Sequence, residues 1–183
     1  DSLGWGNLTG LASVFMARRG FTGVEPLFSE APETEWVTGL GRRYEILNLY
    51  FKPYAACRWA QPAVAGCLQL VRENRVKPAD RVRVKVRTFA AAAALTRRPP
   101  ANTEEAQYNL AFPVAAALID GAVGPAQVLP PRICGRDLLD LAGRLEVEVA
   151  PEFEDRFPAK AVASVEITTR DGRKIIVKQP HVD

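Results

Sequence analysis

At 183 residues, 48% hydrophobic and 25% charged, the chain has enough apolar content for one well-buried core with appended pieces, and too much for a disordered segment. Its net charge of +3, carried by interleaved acidic and basic residues, gives no nucleic-acid-binding stripe. The longest weakly polar stretch, Ala90 to Leu95, falls far short of the roughly 20 apolar residues of a membrane span. The only histidine is His181, so no Ser/His, Cys/His or multi-histidine metal constellation can be assembled from this chain. No metal and no cofactor is expected. Three cysteines without CxxC spacing, and a start lacking a basic segment followed by an apolar one, suit a reducing compartment, the cytoplasm. The start at Asp1 and the trailing Gln179-Pro180-His181-Val182-Asp183 read as the edges of a piece of a longer protein.

In chain order, Asn7 is placed to cap an amphipathic helix carrying Leu8, Leu11, Ala12 and Phe15, stopped by Gly20 after Arg18-Arg19. Residues 21–43, punctuated by Gly23, Pro26, Pro32, Gly39 and Gly41, read as a connector. Tyr44 to Tyr50 is expected to be a strand. A second helix follows Pro62 with Val64, Cys67, Leu68 and Val71 on one face and runs to about Asn74. Pro78-Ala79-Asp80 is a turn. From Arg81 to Phe89, Val82, Val84 and Val86 alternate with cationic residues, the pattern of a half-buried strand.

Asn102 with Glu105 three residues on predicts a third helix through Ile119, kinked at Pro113 and closed by Asp120-Gly121. Three strands are expected in the last third: Leu145 to Val149, Val165 to Ile167, and Lys174 to Lys178 after the Asp171-Gly172 turn. The fold class is α+β, an antiparallel sheet of about four strands covered by helices on one face. The domain organisation expected is 1–43 as helix and connector, and 44–183 as the α+β domain.

The segment Phe51 to Pro62 gathers two cations, a thiol, an amide and aromatic rings at a helix entry, where unpaired N–H groups and the positive end of the dipole favour anions. Lys52 precedes Pro53, which fixes the backbone; an ammonium held there can grip a carboxylate. Cys57, beside Arg58 near the helix start, is the thiol whose surroundings favour thiolate, whereas Cys67 lies on an apolar helix face. The cations of Arg81 to Arg87 read as a solvated sheet face, matched by Glu146, Glu148 and Glu166 on other strands. Trp5, Trp36 and Trp59 read as packing residues.

Three stretches resemble the MmgE/PrpD family of 2-methylcitrate dehydratases, cis-aconitate decarboxylases and iminodisuccinate epimerases: GLASVFMARRGFTG at Gly10 to Gly23, FKPYAACRWAQP at Phe51 to Pro62, and TEEAQYNLAFPVAAALIDG at Thr103 to Gly121. The resemblance implies the small α+β lid of that family, whose site forms against a large helical domain expected before Asp1. It implies cofactor-independent loss of a proton next to a carboxylate in a small polycarboxylate, followed by loss of water or carbon dioxide, or by reprotonation as in the epimerases. Residue by residue, Lys52 matches the lysine of the family's lysine-proline-tyrosine motif, which holds a substrate carboxylate. Cys57 stands where the decarboxylases have histidine, Gln61 where many members have histidine, and Phe112 where many have tyrosine.

Lys52 and Cys57 are therefore the candidate catalytic residues, and Lys52, Arg58, Gln61 and Phe112 the candidate substrate-binding residues. Gln61 and Phe112 replace groups that could move a proton. The partners implied are the polycarboxylate, the helical domain and a second copy of the chain, with no nucleic acid and no membrane. A non-catalytic binding or assembly module is the alternative.

Overall fold

A computed structural model describes residues 2–23, 39, 41–73 and 81–179, which fall into two units, 1–49 and 50–183. In the first, helix α1 spans Ser2–Ala17. Asn7 lies inside it, not at its cap. Its large apolar residues spread around more than half its circumference, and Leu3, Trp5, Leu8, Leu11 and Phe15 are exposed. Gly20 ends the helix as expected: at φ 82° it lets the Phe21 N–H reach the Met16 carbonyl at 3.1 Å and its own N–H reach Ala17 at 3.0 Å. Most of the expected connector, with Trp36, lies outside the described residues, as do Asn74 and the Pro78-Ala79-Asp80 turn.

The strand expected at Tyr44 to Tyr50 is a 3-10 turn over Glu45–Asn48. No strand among the described residues pairs with it, so local bonds from Leu47 to Tyr44 and from Leu49 to Ile46 satisfy part of its backbone instead.

The second unit is built on a four-stranded sheet in the order β2-β1-β3-β4, with β1 Arg81–Thr88, β2 Glu146–Val149, β3 Ala163–Thr169 and β4 Lys174–Gln179. The β1/β3 and β3/β4 pairs are antiparallel, while β1 and β2 run parallel because helices fill the long crossover between them. The sheet is thus mixed and mostly antiparallel. The β3-β4 hairpin turns at Gly172, φ 83°.

Alternation divides the sheet into two faces. Val84, Val86, Val165, Ile167 and Val177 are buried in one core with helix α2, Gln61–Arg72, which packs on β3 and β4, and helix α5, Ala111–Asp120, which packs on α2. On the other face Arg83 pairs with Glu146, Lys85 and Arg87 with Glu148, and Lys174 with Glu166 at 3.0 Å. The expected solvated ladder is what the cationic strand face forms, and solvent screens such exposed pairs.

Between β1 and β2 lie helices α3, Ala90–Ala93, α4, Thr103–Gln107, then α5, α6, Pro125–Val128, and α7, Arg136–Ala142. Helix α8, Pro151–Glu154, follows β2. The single kinked helix expected from Asn102 to Ile119 is in fact two. Asn102 caps α4, its Oδ1 accepting from Glu105 N at 2.9 Å. The break comes at Tyr108-Asn109-Leu110, where fully buried Asn109 accepts from Phe112 N at 2.9 Å and starts α5 afresh. Pro113 then falls in a first turn, where its missing N–H is harmless.

Candidate functional site

The run from Phe51 to Gln61 is not a strand end but a series of bends leading into a 3-10 turn, Arg58–Ala60, and directly into α2. Two backbone bonds seat it: Ala55 N donates to Val123 O at 3.0 Å and Cys57 N to Gln107 O at 2.7 Å. Within it Ala56 N donates to Tyr54 O at 2.8 Å and Ala60 N to Cys57 O at 2.9 Å. Two of the three stretches singled out in sequence are therefore joined, at Cys57 and Gln107.

Side chains complete the seating. Trp59 stands edge-on to Phe89, centroids 6.5 Å apart, and to Phe157 at 6.0 Å, while Phe89 and Phe157 stack at 4.5 Å. These rings form a second, smaller core with Ala92, Ala150, Phe153, Ala161 and Val162. Pairs of this kind add about 0.5–1.5 kcal/mol beyond burial, so the packing role expected of Trp59 anchors the segment at its helical end. Behind Val123, Arg132 grips Asp120 at 2.6 Å and Asp137 at 2.7 Å. Hydrogen bonds from Arg132 hold both carboxyls below the usual range, and the carboxylates hold the guanidinium above its own. Gln127 also donates to Asp120, at 3.3 Å. The loop that receives Ala55 is thereby braced by charge.

The candidate residues divide into an outer and an inner set. Lys52 is exposed, and its ammonium makes no ion pair or hydrogen bond among the described residues. Arg58 is half-buried, its guanidinium 5.0 Å from the centre of the Tyr50 ring, a cation–π contact that leaves it without a carboxylate partner among the described residues. Cys57 is half-buried and its thiol is free. Gln61 belongs to the inner set: it is 2% exposed, and its Nε2 donates to the carbonyls of Ala56 at 2.8 Å and Tyr54 at 3.1 Å. Its Oε1 is buried without a hydrogen-bond partner. Phe112 is fully buried in the main core, in the first turn of α5.

Sequence reasoning missed Tyr50, which carries Arg58, and Gln107 and Asn109, which position the segment and its neighbour. Asn109 was detectable, since an Asn immediately before an apolar run is a helix-start signal. Gln107 was not, because it acts through a carbonyl that every residue has.

A loop that offers a thiol and two cations without carboxylate partners among the described residues, braced by aromatic and ionic packing, can hold an anion. The loop from Tyr50 to Gln61 carries no His, Asp or Glu. Among the described residues no cluster of His, Cys, Asp and Glu suits a metal ion, and no helix is long and apolar enough to cross a membrane.

No curated protein matches the chain. Among protein families, the MmgE/PrpD C-terminal domain matches residues 54–182, most of the chain and nearly all of the unit that carries the sheet. The match covers Cys57, Arg58, Gln61 and Phe112, and begins two residues after Lys52. The chain belongs to the MmgE/PrpD family.

Proposed function

We propose that residues 44–183 form the substrate-holding lid of a cofactor-independent lyase acting on a small polycarboxylate, 2-methylcitrate dehydratase-like, and that turnover requires the family's helical domain. In this reading residues 1–43 are the helix and connector leading from that domain. The observation that carries it is that Lys52 and Arg58 stand on one seated loop, both without carboxylate partners among the described residues. Exposed lysines are common, but this one stands next to Pro53 on a segment fixed by two backbone bonds and an aromatic anchor. Lys52 takes one substrate carboxylate, Arg58 a second, and Cys57 faces the reacting carbon. Charge-assisted bonds of this type are worth roughly 1.5–3 kcal/mol each when desolvated. A second copy of the chain is a further partner of this assembly.

Gln61 and Phe112 bring no titratable group, and both are buried. That favours the epimerase-like branch of the same family, or a binding module without turnover, as the second reading. Turnover of 2-methylcitrate and cis-aconitate, followed by ultraviolet absorbance with and without an added family helical domain, tests the proposal. The lid reading predicts no turnover by the 183-residue chain alone and a gain on addition. Ordinary turnover by the chain alone would refute it.

A further inference from the structure

We propose that Gln61 is the positioning residue of this loop: one amide nitrogen, by holding the carbonyls of Tyr54 and Ala56 together, sets where Lys52 and Cys57 stand. The proposal rests on the reading that Lys52 holds a substrate carboxylate.

The geometry calls for a primary amide. Two acceptors, 3.1 and 2.8 Å away, converge on the same Nε2. An NH2 group has one hydrogen for each, whereas an imidazole nitrogen has at most one and a carboxylate oxygen none. The clamp sits at the first turn of α2, so it transmits the rigidity of a buried helix to a loop with no strand or helix of its own. On one side of the two gripped carbonyls lies Pro53 and then Lys52; on the other lies Cys57, tied to Gln107. Pro53 has a fixed φ, so fixing Tyr54 also restricts Lys52.

The unpartnered Oε1 separates this role from general stabilisation. With Nε2 occupied, the oxygen is committed to a buried position without a donor, and that cost opposes the gain from the two bonds. An apolar side chain of similar size would lose the bonds and also remove the unpaired oxygen. Overall stability should then change little while the loop loses its geometry.

The test compares the 183-residue chain with Gln61→Leu, which removes donor and orphan acceptor together, and Gln61→Glu, which keeps the shape and replaces the donor nitrogen by oxygen. Hydrogen exchange, melting temperature and citrate affinity are measured on all three. In both variants the amides of Ala55, Ala56 and Cys57 should exchange at least about tenfold faster, the change expected for losing hydrogen bonds of ordinary strength, with β1 and β3 amides unchanged. Gln61→Leu should melt within about 4 °C of the parent, and both variants should bind citrate about tenfold more weakly.

Unchanged exchange at Ala55 to Cys57 in both variants overturns the proposal. So does faster exchange with citrate affinity intact, and so does loosening that spreads equally to the sheet. If the parent itself does not bind citrate while the exchange pattern holds, the clamp stands and the substrate reading fails.

Discussion

The N–H of Cys57 donates to the carbonyl of Gln107 at 2.7 Å, so at position 57 the loop meets the end of α4 through main-chain atoms. Side-chain chemistry at position 57 is therefore separable from the loop's architecture. Cys57→Ser should fold with a stability within about 1 kcal/mol of the parent, as a near-isosteric change that spares the bond. With the proposed helical domain added, it should lower kcat while leaving KM nearly unchanged if the thiol acts on the reacting carbon. Thermal melts and steady-state kinetics on the reconstituted protein check both halves.

Lys52→Met removes an ammonium that no described carboxylate neutralises. Its melting temperature should match the parent's. Citrate affinity should fall by roughly ten- to a hundredfold, equivalent to a lost charge-assisted hydrogen bond of about 1.5–3 kcal/mol. Isothermal titration at low ionic strength reads the effect, and added salt should shrink it.

Arg132→Met leaves Asp120, whose side chain is only 17% exposed, without its main partner. We expect a loss of about 1–3 kcal/mol at pH 7, chiefly through Asp120, because Asp137 is half exposed and screened. Both carboxyls are held below their ordinary values when folded. Their contribution is thus complete above the unfolded value of about 3.9 and is lost as pH falls through the lower folded value. Urea melts across pH should show the gap between parent and variant narrowing below about pH 4.

Phe112→Ala empties a fully buried site in the main core and should cost about 3–5 kcal/mol. Phe112→Tyr must place a hydroxyl in the same apolar setting. Unless that hydroxyl finds a partner, it too should destabilise, by about 1–3 kcal/mol. Denaturant midpoints at constant m-value measure both.

Glu146→Gln breaks the pair with Arg83 on the open sheet face, where both side chains are well exposed. The denaturant midpoint should stay close to the parent's, because solvent screens an exposed pair. A clear loss, seen in the same denaturant titrations, would mean that this face is covered in solution.

The parts legible in sequence were those governed by a local period or a single special residue. The alternation along Arg81 to Thr88 implied both the buried valines and the charged ladder. Asp171-Gly172 marked the hairpin, and Gly20 marked the end of α1. Where partners decide, sequence ran out. Tyr44 to Tyr50 has strand composition but no strand beside it among the described residues. The parallel pairing of β1 with β2 depends on the route of the crossover helices rather than on either strand. The α4/α5 break was masked because Pro113 drew the kink to itself, although Asn109 makes it.

At the candidate site, the residue types of the loop were visible, but not which of them face outward. Gln61 is buried with its Nε2 on the carbonyls of Tyr54 and Ala56, and Phe112 lies in the core. No local pattern reports that, since both depend on how α2 and α5 pack.

The central claim is that the loop from Tyr50 to Gln61 holds a polycarboxylate through Lys52. An NMR titration of the 183-residue chain with citrate, run in parallel on Lys52→Met, tests it most directly. The account predicts amide shifts concentrated in residues 50–61 and at Gln107, saturating with citrate and lost in the variant. Saturable shifts centred elsewhere, such as the groove lined by Thr96, Arg97 and Arg98, or shifts that survive the loss of Lys52, would contradict it.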